Sequence, residues 1–217
     1  MRKRLSSLAV AVALGATPAV AAVSQIDPLY QPAAPAQERM LVLAHKLSAR
    51  DDTAGAMAEY DKALALQPQW VVALTERAFL RERLGDLAGA MADYDAVLRL
   101  APDRAKAWSH AAWIRALMNN DLDQALTYSD KAIALEPNID VVDTRGFVHF
   151  RRGELAKAKD NYDTVLKAYP RAATTLYMRG VVEHRLGERA AGDADIAQAL
   201  KLDDTIGAVW TKRGVTP

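Results

Sequence analysis

The sequence predicts an all-α solenoid built from consecutive pairs of antiparallel helices. Pro68, Pro102, Pro137 and Pro170 recur at a nearly constant spacing. Three of these prolines are the last residue of the same sequence motif, which consists of a small residue, a tyrosine, a small or β-branched residue and the proline. The motif is Ala56-x3-Tyr60-x2-Ala63-x4-Pro68, and it recurs at 90–102 and 158–170. A composition of 51% hydrophobic and 25% charged residues is typical of a folded chain rather than a disordered one. A period of about 34 residues indicates one two-helix unit per repeat.

Residues 1–21 have the composition of a secretory signal peptide. A basic start, Met1-Arg2-Lys3-Arg4, precedes an apolar stretch at 8–14 and a proline, Pro18. Ala19 and Ala21 then supply the small residues of a cleavage site. We expect cleavage before Ala22 and a periplasmic or secreted protein, with an uncleaved N-terminal anchor as the alternative.

The charge balance and the cysteine content exclude some classes of partner and some kinds of chemical site. The chain carries 28 basic and 27 acidic residues, and loss of Arg2, Lys3 and Arg4 leaves 25 basic against 27 acidic. This balance argues against nucleic acid, or a membrane beyond export, as the main partner. There is no cysteine, which excludes a lipoprotein, disulfides and thiolate metal sites.

Enzymatic signals are absent from the sequence. The four histidines have no i, i+4 pairing, and no glycine-rich phosphate loop occurs. Acid pairs such as Asp51-Asp52 and Asp203-Asp204 fall at predicted turns, where helix capping explains them. We therefore expect no catalytic residues, no metal site and no cofactor.

The chain is predicted to divide into three parts. After the signal peptide, residues 22–36 are rich in Pro, Ala and Gln and read as a flexible tether. The repeat domain covers 37–217, as five repeats and a short C-terminal capping segment: 37–70, 71–104, 105–138, 139–172, 173–205 and 206–217.

One regularity is predicted to be accidental. Tyr60, Tyr94, Tyr128 and Tyr162 are evenly spaced along the chain. The turn at 119–121 is one residue longer than the matching turn of repeat two at Gly85-Asp86, so Ser129 rather than Tyr128 aligns with the other tyrosines. We expect the other three tyrosines to pack between helices.

The combination of these motifs resembles the tetratricopeptide repeat family over about residues 37–214. Small residues stand at the eighth helix position of every unit: Ala44, Ala78, Ala112, Gly146, Gly180 and Gly214. The resemblance implies an exported bacterial member of this family with a right-handed superhelix. In such a superhelix the first helix of each unit lines a concave surface. It also implies a surface that binds protein or peptide.

Three helix positions supply the candidate groove on this concave surface. Position nine gives an aromatic row, which would be solvent-facing in a groove or would pack between first helices in the alternative. Position thirteen gives arginines able to clamp a carboxylate or stack on a ring, and position five gives a mostly polar row. The candidate residues are Phe79, Trp113, Phe147, Arg83, Arg151, Arg185, Thr75, Ser109, Asp143 and Tyr177.

The sequence therefore favours a non-enzymatic scaffold of the cell envelope that holds a partner segment in its concave groove. The alternative is a structural self-assembling module that uses its solenoid ends as interfaces. We expect Trp210 to cover part of repeat five, as Trp108 does within repeat three. The short segment around it predicts an incompletely sealed C-terminal edge, open to weak self-association or partner docking.

Overall fold

The computed structural model describes residues 35–217, which contain eleven α-helices and no strand. Ten helices form five consecutive antiparallel pairs, and the eleventh is short. The helices are α1 Pro35–Ser48, α2 Thr53–Leu66, α3 Val71–Leu84, α4 Leu87–Leu100, α5 Ala105–Met118, α6 Leu122–Leu135, α7 Ile139–Arg151, α8 Leu155–Ala168, α9 Ala173–Leu186, α10 Arg189–Leu202 and α11 Ile206–Lys212. The predicted all-α solenoid is confirmed.

The N-terminal boundary needs one correction. The tether was predicted to run to residue 36, but Pro35 and Ala36 begin α1. Proline is tolerated in the first turn of a helix, because the amide it lacks would have no intrahelical partner there. The signal peptide and the rest of the tether lie outside the described residues.

The turns between paired helices follow from their capping residues. The side chains of Asp52 and Asp86 each accept a 2.9 Å hydrogen bond from the amide three residues ahead, which caps α2 and α4. Gly85 adopts φ +81° after α3, a left-handed conformation that suits glycine. Asn119 takes the same role after α5, at φ 52°. The turn at 119–121 is one residue longer than that at 85–86, so the predicted insertion is confirmed.

The tyrosine knobs are buried as predicted. Tyr60, Tyr94 and Tyr162 are at most 2% exposed. Ser129 is fully buried at the aligned place in repeat three, whereas Tyr128 is partly exposed and packs edge-on against Trp108. The regular spacing of Tyr128 is therefore accidental.

Arginine ladders tie successive repeats together, a feature that sequence reasoning missed. Arg179 donates to both carboxylate oxygens of the buried Asp195, at 2.6 and 3.0 Å, and to Asp163 of the preceding repeat at 2.7 Å. Equivalent bridges are Arg77 with Asp61 and Asp93, and Arg145 with Asp130 and Asn161. These ladders could have been found in the sequence. Each arginine lies 15 or 16 residues after one partner and 16 residues before the other.

Helix α11 departs from the regular stacking. It begins beside α9 and α10, but its Trp210 packs across the concave side against Phe147 and Trp113, with ring centroids 5.2 and 6.1 Å apart. Trp210 also belongs to the buried cluster that contains Leu176 and Val181 of repeat five, which agrees with the expectation that it covers part of that repeat.

Candidate functional site: the concave groove

The aromatic row of the candidate groove is divided between open surface and core. Phe79 is 46% exposed, Trp113 is partly buried and Phe147 is 1% exposed. The prediction that all three are open to a ligand is therefore corrected at Phe147. Its ring is enclosed by Trp113 at 4.9 Å, by Phe150 at 6.1 Å and by Trp210.

The open end of the row lies in repeats two and three. Phe79 meets the His110 ring edge-on at 6.1 Å, and His110 stacks on the buried Tyr94 at 5.4 Å. The Nδ1 atom of His110 also lies 3.2 Å from the Oε2 atom of Glu82. The exposed phenyl ring is thus held on a rigid support, which limits the ordering entropy that ligand contact would cost.

The predicted arginines lie at one edge of the groove. Arg83 and Arg185 are exposed and Arg151 is partly buried. The guanidinium of Arg185 lies 4.3 Å from the Phe150 ring and that of Arg151 lies 5.1 Å from Phe147. None of the three has an ion-pair partner within residues 35–217, in contrast to the arginines of the ladders. Burial lowers the pKa of Arg151, and the charge of Arg185 lowers it further.

Arg213 was not predicted, and it joins this cationic edge. Its guanidinium lies 5.4 Å from the Trp113 ring and 5.1 Å from the Trp210 ring. It stands beyond the five repeats, so helix-position arithmetic could not assign it to the groove. Only the position of the segment that follows α10 brings it there.

The polar row is mostly engaged in bonds within the protein. Thr75 donates to the Val71 carbonyl at 2.8 Å, and Ser109 lies 3.4 Å from Thr144. Asp143 accepts a 2.8 Å hydrogen bond from Thr175. Tyr177 is 3% exposed and is corrected from groove to core, because it packs with the buried side chains of repeats four and five.

Asp143 is the titratable group whose environment is most unusual on this surface. Burial raises its pKa from 3.8 to about 6, against the opposing effect of the Thr175 hydrogen bond, and nearby Asp140 raises it slightly more. A raised folded-state pKa means that the folded protein binds this proton more tightly than the unfolded chain. The contribution to stability is therefore full below about pH 4 and is lost as pH rises to about 6.

We expect Asp143→Asn to remove this pH dependence. At pH 7 the variant should be more stable than the parent by about 1–2 kcal/mol, after allowance for solvent screening. At pH 3.5 the difference should nearly vanish, because Asp143 is then protonated in the folded protein and mostly protonated in the unfolded chain. Urea unfolding of both proteins at the two pH values measures it, and a difference that does not change with pH would contradict the assignment.

Two cavities that are lined by candidate groove residues differ in charge. The first, of about 750 Å³, is lined by four apolar side chains, three cations and one acid: Leu84, Leu87, Leu117 and Val209, with Arg83, Lys212, Arg213 and Glu82. The second, of about 320 Å³, is lined by the Trp113 ring and by three acids, Glu82, Asp140 and Asp143, beside His110. The groove therefore has a basic end and an acidic end.

Each histidine lies within 3.4 Å of a carboxylate on a neighbouring turn or helix. Between residues 35 and 217 no three acidic or histidine side chains converge as metal ligands. None of the helices in that range has the length and apolar character of a membrane span.

Solved structures with the same architecture are tetratricopeptide repeat proteins. PilW, a widely conserved type IV pilus biogenesis factor, is 19% identical, with a TM-score of 0.71 over 83% of this chain and 87% of its own. A tetratricopeptide repeat protein from Parabacteroides merdae is 19% identical, with a TM-score of 0.70 over 89% and 79%. YrrB, a repeat protein with an unusual peptide-binding site, is 19% identical, with a TM-score of 0.61 over 89% and 98%.

These likenesses show the fold alone, since the identities are low. No model of a known protein family matches the chain, and no curated protein matches it in sequence. What the groove holds must therefore be argued from its own side chains.

Proposed function

We propose, from the premise that the chain has the tetratricopeptide repeat fold, that it is a non-enzymatic scaffold that binds a segment of a partner protein in the concave groove. The observation that carries this proposal is the exposed ring of Phe79, one helical turn before Arg83, a cation that has no carboxylate partner in the described part of the chain. A large exposed aromatic on a rigid support and uncompensated charge both gain from a ligand. Neither feature is explained by the packing of the solenoid.

The chemistry of the groove favours a segment that is apolar and acidic. Arg83 borders the larger cavity, and Arg151 and Arg185 lie over the Phe147 and Phe150 rings, so a carboxylate on the partner would be attracted to this edge. Leu84 is 52% exposed and would pack against the partner's apolar side chains. The acidic second cavity would favour a basic or neutral residue at the other end, which sets one binding direction.

The location we propose is the cell envelope. Its support is the signal-like composition of residues 1–21. Export would place the groove among envelope proteins, so partners should be sought there. N-terminal sequencing of the exported protein should return Ala22 or a neighbouring residue, whereas recovery of Met1 would favour the anchored alternative.

Affinity capture from an envelope extract tests the binding proposal. The parent chain should retain a fixed partner, and Phe79→Ala should retain at least about tenfold less at equal loading, since an exposed aromatic anchor contributes one or more kcal/mol. Leu66→Ala is the matched control, because Leu66 is 60% exposed on a second helix and should leave capture unchanged. Equal capture by all three proteins would contradict the groove assignment.

The self-assembling alternative has one observation in its favour. Val42 and Leu43 on α1 are 51% and 43% exposed, so the first described helix pair presents an apolar edge. Light scattering over a wide concentration range separates the two functions. A mass that rises with concentration, and is restored to a monomer by Leu43→Glu, would favour self-assembly over partner binding.

A further inference from the structure

The segment 206–217 is placed where a bound peptide would lie. Trp210 is 1% exposed, between Phe147 and Trp113. Arg151 Nη2 donates a 2.9 Å hydrogen bond to the carbonyl of Arg213, at the end of α11. An aromatic anchor in an apolar pocket and a cation on a helix-terminal carbonyl are the contacts that bind a helical peptide in a groove.

Several features weaken the binding of residues 206–217 to the groove. Helix α11 has only seven residues, and a helix of this length has little stability of its own. Trp210 Nε1 and Arg151 Nε are buried and have no hydrogen-bond partner in the described part of the chain. Each such atom loses hydration without compensation, which weakens the docked state relative to an open one.

The connection that leads into the segment allows it to move. Asp204 and Thr205 are exposed, and the Thr205 amide and hydroxyl bond to Asp203, at 2.9 and 2.6 Å. These bonds join the connection to the C-cap residue of α10 and to no other part of the repeats. The segment lies beyond the ten paired helices, so its departure would uncover the apolar core of repeats four and five without removing a helix of any repeat.

We propose that residues 206–217 are an internal ligand of the groove, which a partner segment must displace in order to reach the Trp113–Phe147 pocket. This inference rests on the proposed function for its partner and deepens it. The competing segment would carry a large aromatic anchor followed, about one helical turn later, by a free backbone carbonyl for Arg151. Because the internal ligand is tethered, it competes at a high effective concentration and lowers the apparent affinity for any external segment.

A chain that can be cut after folding tests this proposal directly. A protease site is inserted between Asp204 and Thr205 in the full chain, which is folded, cut and passed over a sizing column. The probe is a labelled synthetic peptide with the sequence of residues 204–217, and fluorescence anisotropy reports its binding. The cut protein should bind the probe at least about tenfold more tightly than the uncut protein, and a probe with alanine at the Trp210 position should not bind.

Variants of the uncut protein provide a second test of whether residues 206–217 block the groove. Full-length Trp210→Ala should bind the labelled probe without cutting, whereas full-length Thr211→Ala, altered at the neighbouring exposed residue, should not. Three results would overturn the proposal: equal binding to cut and uncut protein, binding to neither, or a cut segment that stays bound and never exchanges. The probe is the chain's own segment, so these outcomes do not depend on whether an envelope partner is found.

Discussion

Replacement of Phe147 by alanine is expected to lower the free energy of unfolding by about 3–5 kcal/mol, the usual cost of removing a buried phenyl ring from a core. Phe147 is 1% exposed and packs on Trp113, Phe150 and Trp210. Its loss would leave a cavity that links the concave face to repeats four and five. Denaturant unfolding should show a lower midpoint with an unchanged slope.

The matched control is the same substitution two repeats earlier. Phe79 occupies the same helix position but is 46% exposed, so Phe79→Ala should change stability by no more than about 0.5 kcal/mol. Equal losses for the two variants would contradict the division of the aromatic row into an open end and a buried end.

Substitution of Gly180 by alanine should also destabilise the protein, by about 1–3 kcal/mol. A methyl group at this position would lie 2.7 Å from Ile196 Cγ1 and 2.8 Å from the Gly192 carbonyl oxygen. The side chain of Ile196 can rotate, but the backbone oxygen moves only if α9 and α10 separate. Thermal or urea unfolding measures the loss.

Gly207→Ala is a control for which the opposite change in the free energy of unfolding is expected. It lies in α11, and the nearest atoms that an added methyl group would meet are 3.8 Å away. Gly207→Ala should therefore stabilise the protein by about 0.5–1 kcal/mol, through lower backbone entropy of the unfolded chain. A gain at Gly180 as large as that at Gly207 would show that the two helices are not in close contact.

The fold could be predicted because its signals are local and repeated. The proline recurs in four repeats, the tyrosine knob in three and the small residue at position eight in all five, so each repeat supports the assignment of the next. Even the displaced Tyr128 was recognised, since a one-residue turn insertion shifts everything after it by a known amount. Gly192, which has no side chain, is the residue of α10 that Gly180 approaches.

The site could be predicted only in part, because its composition depends on contacts between residues far apart in sequence. Position nine is open at Phe79 and closed at Phe147, although the residue type and the repeat register are the same. The difference arises from Trp210, which packs on Phe147 although it lies nearly two repeats further along the chain and outside the five repeats. Periodicity assigns a residue to a helix face, but it does not show what covers that face.

The central claim is that the concave surface at Phe79 is where a partner segment binds. Its most direct test is site-specific photocrosslinking in cells, with a photoreactive phenylalanine analogue at position 79 in one protein and at the exposed position 66 in another. We expect a discrete envelope-protein adduct from position 79 and none from position 66. An adduct from position 66 alone, or none from either position, would contradict the claim.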